Sequence, residues 1–203
     1  MRNWLLLAIA ALAAYWWMQH EPAMAVVAAP PDVHLPTVPI SDAPLQRNVD
    51  GPVFKVNGFE VRALATYSAT ARVLSTERYR YGDEAGLSPM DLALGWGRMA
   101  DPKVTDRLTI TQGGRYYTWR YQRAPPIPRQ EIVESSANTH IVPASAAVAR
   151  TIARAGRGDI ISLKGYLVQV SKPDGWHWRS SLTRNDAGSH ACELMFVQSA
   201  VVE

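Results

Sequence analysis

The sequence predicts an α+β domain, mainly antiparallel β, curled into a small, partly open barrel or a strongly bent sheet and carrying two short helices. Three observations point there. From Phe59 to Val73 every odd position is apolar (Phe59, Val61, Ala63, Ala65, Tyr67, Ala69, Ala71, Val73), which is the period of a strand with one buried face. Leu108–Tyr121 reads as a strand, a Gly113-Gly114 turn and a second strand, the pattern of a β-hairpin. From Gly158 onward two strand patterns flank a Lys172-Pro173-Asp174-Gly175 turn, and a third runs through Ala191–Val202.

Composition narrows the class. Of 203 residues, 47% are hydrophobic and 19% charged, which is ordinary for a globular chain and excludes global disorder. The net charge is +3, and from Val53 onward nineteen Lys and Arg face fourteen Asp and Glu. That excess is scattered rather than gathered into a stripe, so nucleic acid is an unlikely partner, whereas mild attraction to an anionic surface fits. The one cysteine, Cys192, excludes an internal disulfide and any multi-cysteine metal site.

The N-terminus speaks for export. Trp4–Met18 is an unbroken apolar run preceded by Arg2, long enough as a helix for about 22 Å of a bilayer core of about 30 Å. Tyr15, Trp16 and Trp17 suit a membrane anchor with an aromatic belt, whereas Ala23-Met24-Ala25 suits a cleaved signal peptide. Seven of the fourteen prolines fall within residues 22–52, a composition for an extended, semi-rigid spacer. A spacer makes sense when the helix stays in the membrane. The expected organisation is an anchor or signal over residues 1–20, a Pro-rich linker over 21–52 and a β-rich periplasmic domain over 53–203. The expected location is the inner membrane, crossed once.

Within the domain, the alanine-rich face of 59–73 requires bulky partners, and the length of the strand implies a bend or bulge. Ser88-Pro89-Met90-Asp91 looks like a helix start, with Ser88 as N-cap, Pro89 at the first turn and Gly95 and Gly97 as the stop. In the hairpin, Tyr117, Trp119 and Tyr121 alternate with Tyr116, Thr118 and Arg120, so both faces carry aromatics; the usual fate of such rings is burial. Glu131–Val142 is ambiguous, a strand interrupted by Ser135-Ser136-Ala137-Asn138. Ser145 caps a helix within Pro143–Ala155, with Val148, Ala149, Ile152 and Ala155 as its apolar stripe. The strand after Gly158 is apolar on both faces, as a central strand is, and Gly165 within it marks a bulge or tight bend. Trp176, Trp178 and Ser180 share one face of the next strand. Five or six strands in about 150 residues suit a small barrel, and the oligonucleotide-binding (OB) type is one that fits.

Reactive side chains concentrate between Ser180 and Glu193. A hydrolase would use Ser181, His140 and Asp186, but the Gly-x-Ser-x-Gly and Ser-x-x-Lys signatures are both missing from the sequence. The histidines lack metal-ligand spacing, and Gly156-Arg157-Gly158 follows a helix instead of opening one, so no cofactor is expected. His140 lies among apolar residues, where a lone histidine is usually structural. The loop Ser180–Gly188 reads either as a self-bonded loop, Asp186 pairing with Arg184, or as a pocket lip whose Arg184 takes an anionic group. Trp119 is a candidate stacking platform for single-stranded nucleic acid.

The blocks LSPMDLALGWG, GGRYYTWRY, SSANTHIVPA, GDIISLKGYLV and SSLTRNDAGSHACEL resemble those of uncharacterised, exported or membrane-anchored bacterial proteins. The resemblance implies an envelope location and carries no activity or site residue. The expected function is that of a membrane-anchored periplasmic binding or structural module, with no catalysis. Its partners would be an envelope protein or an anionic ligand, besides the inner membrane itself. The binding candidates are Arg184, Asp186, Ser181, His140 and Trp119. The alternatives are the hydrolase and an OB-type single-strand binder.

Overall fold

A twenty-residue strand carries the architecture. The computed structural model describes residues 25–185 and 191–203, and the apolar N-terminal run expected as an anchor or signal lies outside them. In chain order the strands are β1 (Val26–Val27), β2 (Leu45–Asn48), β3 (Val53–Val56), β4 (Phe59–Arg78), β5 (Met90–Gly95), β6 (Thr109–Gly113), β7 (Tyr116–Arg120), β8 (Ser136–Pro143), β9 (Ile160–Ser171), β10 (His177–Arg179) and β11 (Glu193–Val202). The helices are α1 (Asp83–Leu87), α2 (Pro102–Thr105), α3 (Arg129–Glu134) and α4 (Ala146–Ala153), with a 3₁₀ turn at Gly97–Ala100. The result is a mainly antiparallel sheet with few helices.

The alternation at Phe59 extends through Arg78, with register shifts after Ala63 and Val73 that let so long a strand bend. Its first two thirds pair with β9 and its last third with β5, so β4 has a different main partner at each end. The pairing then runs β5–β8–β11–β9 and returns to β4; β8 and β11 are parallel, and the other steps are antiparallel. β6 and β7 form a separate two-stranded sheet. The sheet's inner core joins Ala65, Tyr67, Ala69 and Ala71 to Leu92, Leu94, Ile141, Leu163, Leu167 and Met195, so the alanine face of β4 does meet bulky partners. Each fully buried leucine or isoleucine contributes about 1.5–3 kcal/mol. Gly165 has a tertiary reason: a Cβ there would overlap the carbonyl oxygen of Phe196 on β11.

The expected helix at Ser88–Gly97 is instead β5, buried along its whole length. Met90, Leu92 and Leu94 point into the core, while Asp91 and Ala93 point to the other face, where Ala93 joins a second apolar layer. A helix would bury only one stripe, and both edges of this segment are needed to bridge β4 and β8. Tertiary pairing overrides good local capping chemistry. The ambiguous segment resolves into α3, begun by Pro128, and β8, buried at every position. Among the described residues, four helices therefore replace the expected two. One of the two, α4, forms where expected, with the Ser145 hydroxyl accepting from the Val148 amide.

Residues 25–52 are extended, as their prolines require, but they are not a free spacer. Pro30, Leu35, Val38 and Pro44 are buried, and β2 pairs with β4. The Tyr166 and Ser68 hydroxyls donate to the carbonyls of Pro31 and Pro36 at 2.9 and 2.8 Å. The apolar residues between the prolines make the strap cohere with the sheet. Among the described residues no helix is long and apolar enough to cross a membrane.

Candidate functional site: a buried cluster around Asp91

Asp91 lies on the outward face of β5 and is 0% exposed. A carboxylate that deep requires partners, and the hairpin supplies the main one. Gly114 and Arg115 both take positive φ (58° and 70°), the two-residue turn that matches the twist of paired strands. This turn places the tip of the β6–β7 hairpin over Asp91. Arg115 Nη1 pairs with Asp91 Oδ1 at 2.8 Å, and the Tyr79 hydroxyl donates to Oδ2 at 3.1 Å. His140 Nδ1, on the neighbouring β8, lies 2.9 Å from Oδ2 but out of line for a well-formed hydrogen bond, and the contact becomes an ion pair when the imidazole is protonated.

Arg115 organises the rest. Its amide donates to the Tyr79 hydroxyl at 3.0 Å, and its carbonyl accepts from Asn138 Nδ2 at 3.0 Å and from the Cys192 thiol at 3.8 Å. Its guanidinium lies 3.6 Å from the centre of the Tyr79 ring and 5.3 Å from that of Trp178, which in turn packs at a tilt against the His140 ring, centroids 4.6 Å apart. Gln112 Nε2 donates to Asn138 Oδ1 at 2.7 Å, closing the network on β6. Burial, followed by the Asp91 charge, pushes the Tyr79 phenol up to about 12.

A second polar group sits beside it. Glu193, at the start of β11, is buried, and its charge adds to burial in raising the phenols of Tyr67 and Tyr117, the latter to about 12. Arg184 stands 5.6 Å above the Tyr67 ring and donates from Nη2 to the carbonyl of Pro44 at 3.2 Å.

The sequence candidates therefore separate. His140 is 2% exposed and belongs to the Asp91 cluster. Ser181 belongs to the loop after β10: its hydroxyl donates to the Thr183 carbonyl and accepts from the Thr183 amide, both at 3.1 Å. Arg184 joins the Tyr67 group. Trp119 stacks on Tyr121 at 6.3 Å, and both pack on an apolar layer formed by Leu74, Ala93, Met99, Leu108 and Ile132, so the hairpin's aromatic face is largely covered. Asp186 lies outside the described residues. Cys192 is half-buried, one residue ahead of β11 instead of within it. Among the described residues, no group of three His, Cys, Asp or Glu is placed to hold a metal ion. A cavity of about 80 Å³ is lined by Arg72, Thr105, Asp106 and Arg157 among others and by none of the candidates; it has room for water rather than substrate.

Sequence reasoning missed Asp91, Arg115, Tyr79 and Asn138. The available signal was the one acid inside the apolar run Met90–Trp96, opposite a Gly-Gly-Arg turn. What the arrangement does chemically is lock: the hairpin tip, β5 and β8 are joined by charge-assisted bonds in a dry setting, where such bonds are strong. Comparison with protein-family models, curated proteins and solved structures found no match.

Proposed function

We propose that the chain is a membrane-anchored, non-catalytic binding module of the bacterial envelope, built on an OB-type barrel and held at the periplasmic face of the inner membrane by its apolar N-terminal run. The observation that carries this reading is the order of strand pairing. Five strands pair in a ring, β4–β5–β8–β11–β9, with a long bent strand shared at the closure, one parallel step, and helix α4 between β8 and β9. In OB-type barrels the second and third strands, with the loops after the first and fourth, form the binding face. The corresponding parts here are β5, β8, residues 79–89 and the described residues 172–185 of the connection after β9.

The centre of that face is filled by the chain's own hairpin tip, so ligand contacts fall to its rim. His177 and Arg179 are exposed on β10, flanking the half-buried Trp178. Arg184 lies on the same connection and keeps the anionic-ligand reading in view. The hydrolase reading is the weaker one, because Ser181 and His140 keep different neighbours: Thr183 for the first, Asp91 and Trp178 for the second. The nucleic-acid reading loses its platform where Tyr117, Trp119 and Tyr121 pack against the domain.

Crosslinking in intact cells, followed by recovery of the full chain, tests the proposal. A partner recovered with the wild type and lost with Arg179→Glu supports the rim. Equal recovery from both refutes it. Labelling of Ser181 by a fluorophosphonate probe would revive the hydrolase.

A further inference from the structure

We infer that the end of the domain formed by Ala25, Asn57 and α1 lies against the bilayer, with Tyr81 and Val27 in the headgroup layer. The inference rests on the membrane-anchored reading and adds the face that meets lipid. The apolar run ends at Met18, seven residues before Ala25. Extended chain covers at most about 3.6 Å per residue, so this connection reaches no further than about 25 Å. A domain of this size has a radius of gyration of about 16 Å, so the tether is shorter than the domain is wide. The end that carries Ala25 is therefore held close to the membrane, and the opposite end cannot face it.

That end is tied together from the first described residue. The Ala25 amide donates to Asn57 Oδ1 and the Asn57 amide donates back to the Ala25 carbonyl, both at 2.9 Å. Val26 and Val27 pair with Val56 and Lys55. Asn57 Nδ2 continues to the Gly86 carbonyl in α1 at 2.7 Å. Asp83, the first residue of α1, pairs with Lys172 at 2.6 Å, and Lys172 lies 5.1 and 5.4 Å from the ring centres of Phe59 and Trp176.

Two large side chains stand out of this surface without cover: Val27 is 61% exposed, and Tyr81, two residues before α1, is 93% exposed. A tyrosine ring with an apolar body and a polar tip is suited to the water–lipid boundary. Charge here is mixed: Lys172 is paired with Asp83, Lys55 stands opposite Glu60 across the β3–β4 ladder, Glu84 lies 4.0 Å from Arg115, and Arg80, next to Tyr81, is exposed. The contact is therefore expected to weaken at high salt without being lost. The opposite end is marked by Arg157: β9 begins three residues later at Ile160 and runs twelve residues to Ser171, next to the Lys172 that pairs with Asp83.

The test uses the full chain in vesicles of phosphatidylethanolamine and phosphatidylglycerol. With Cys192→Ser as background, nitroxide labels are placed at Tyr81→Cys, Val27→Cys and Arg157→Cys. The expected result is several-fold lower accessibility to a water-soluble nickel chelate at positions 81 and 27 than at 157, with that order kept at molar salt. Equal accessibility at 81 and 157, in protein that stays with the vesicles through an alkaline wash, overturns the inference while leaving the anchor intact. Release by the wash overturns the anchor and the inference with it. Hydroxyl-radical footprinting of the unmodified chain gives a reading free of substitutions. Tyr81, far more exposed in the domain than Tyr116, is expected to oxidise more slowly than Tyr116 when vesicle-bound, and faster oxidation contradicts the inference.

Discussion

Asp91 shows how much one side chain can decide. It is the common acceptor for Arg115 and Tyr79 and the close neighbour of His140, and it has no access to water. Removing one partner of a buried pair leaves the other charge stranded, so Asp91→Ala is expected to cost about 3–5 kcal/mol in a urea unfolding measurement. Asp91→Asn, which keeps the shape, is expected to cost less. Arg115 offers a sharper test because its φ of 70° is unfavourable for any residue with a Cβ. Arg115→Gly and Arg115→Ala both lose the guanidinium, but the glycine variant is expected to be more stable by about 1 kcal/mol. Equal stability would mean that the turn relaxes when the pair is lost. At this scale the burial of His140 was legible from its apolar neighbours. The sequence was opaque for Asp91, because Arg115 is distant in sequence and only the hairpin brings the two together.

Elements were legible where their pattern is local and misread where the partner is remote. The hairpin announced itself through Gly113-Gly114, β4 through its alternation, and α4 through the Ser145 cap. β5 did not, since Met90–Gly95 combines helix-forming residues with a convincing helix start, and only pairing on both edges makes it a strand. The same distinction predicts two substitutions. Ser145→Ala removes one capping bond from an outer helix and is expected to cost about 1 kcal/mol. Gly165→Ala drives a methyl into the carbonyl of Phe196 on the paired strand β11, and is expected to cost about 3 kcal/mol or more. Thermal unfolding of the two variants side by side separates local from tertiary control of the fold, and the reverse order would contradict the role given to Gly165.

For the molecule as a whole, the strap, the ring of strands and the hairpin behave as one body, and its polar interior sets an alkaline limit. Tyr79 and Tyr117 have phenols raised from 10.0 to about 12, burial being the larger cause in each. Because the folded values lie above the unfolded one, the stability linked to these groups is fully present below about pH 10 and is lost as pH rises through about 12. Phenolate absorbance of the folded protein is expected to show a late step near pH 12 that shrinks in Tyr79→Phe and in Tyr117→Phe. Burial of the hairpin rings Tyr117, Trp119 and Tyr121 was the expected fate, but the layer they cover was not legible, because Leu74, Ala93, Met99, Leu108 and Ile132 come from scattered segments that only the fold brings together. Nor was the packing of the proline-rich strap, whose composition suggested a free spacer. What remains open to a partner is the rim formed by β10 and the loops beside it, and in-cell photocrosslinking tests that most directly. With a photoreactive residue at His177 or Arg179, we predict discrete adducts to an envelope component, and none from Thr118 on the exposed face of the hairpin. Adducts from Thr118 with none from β10 would contradict the account.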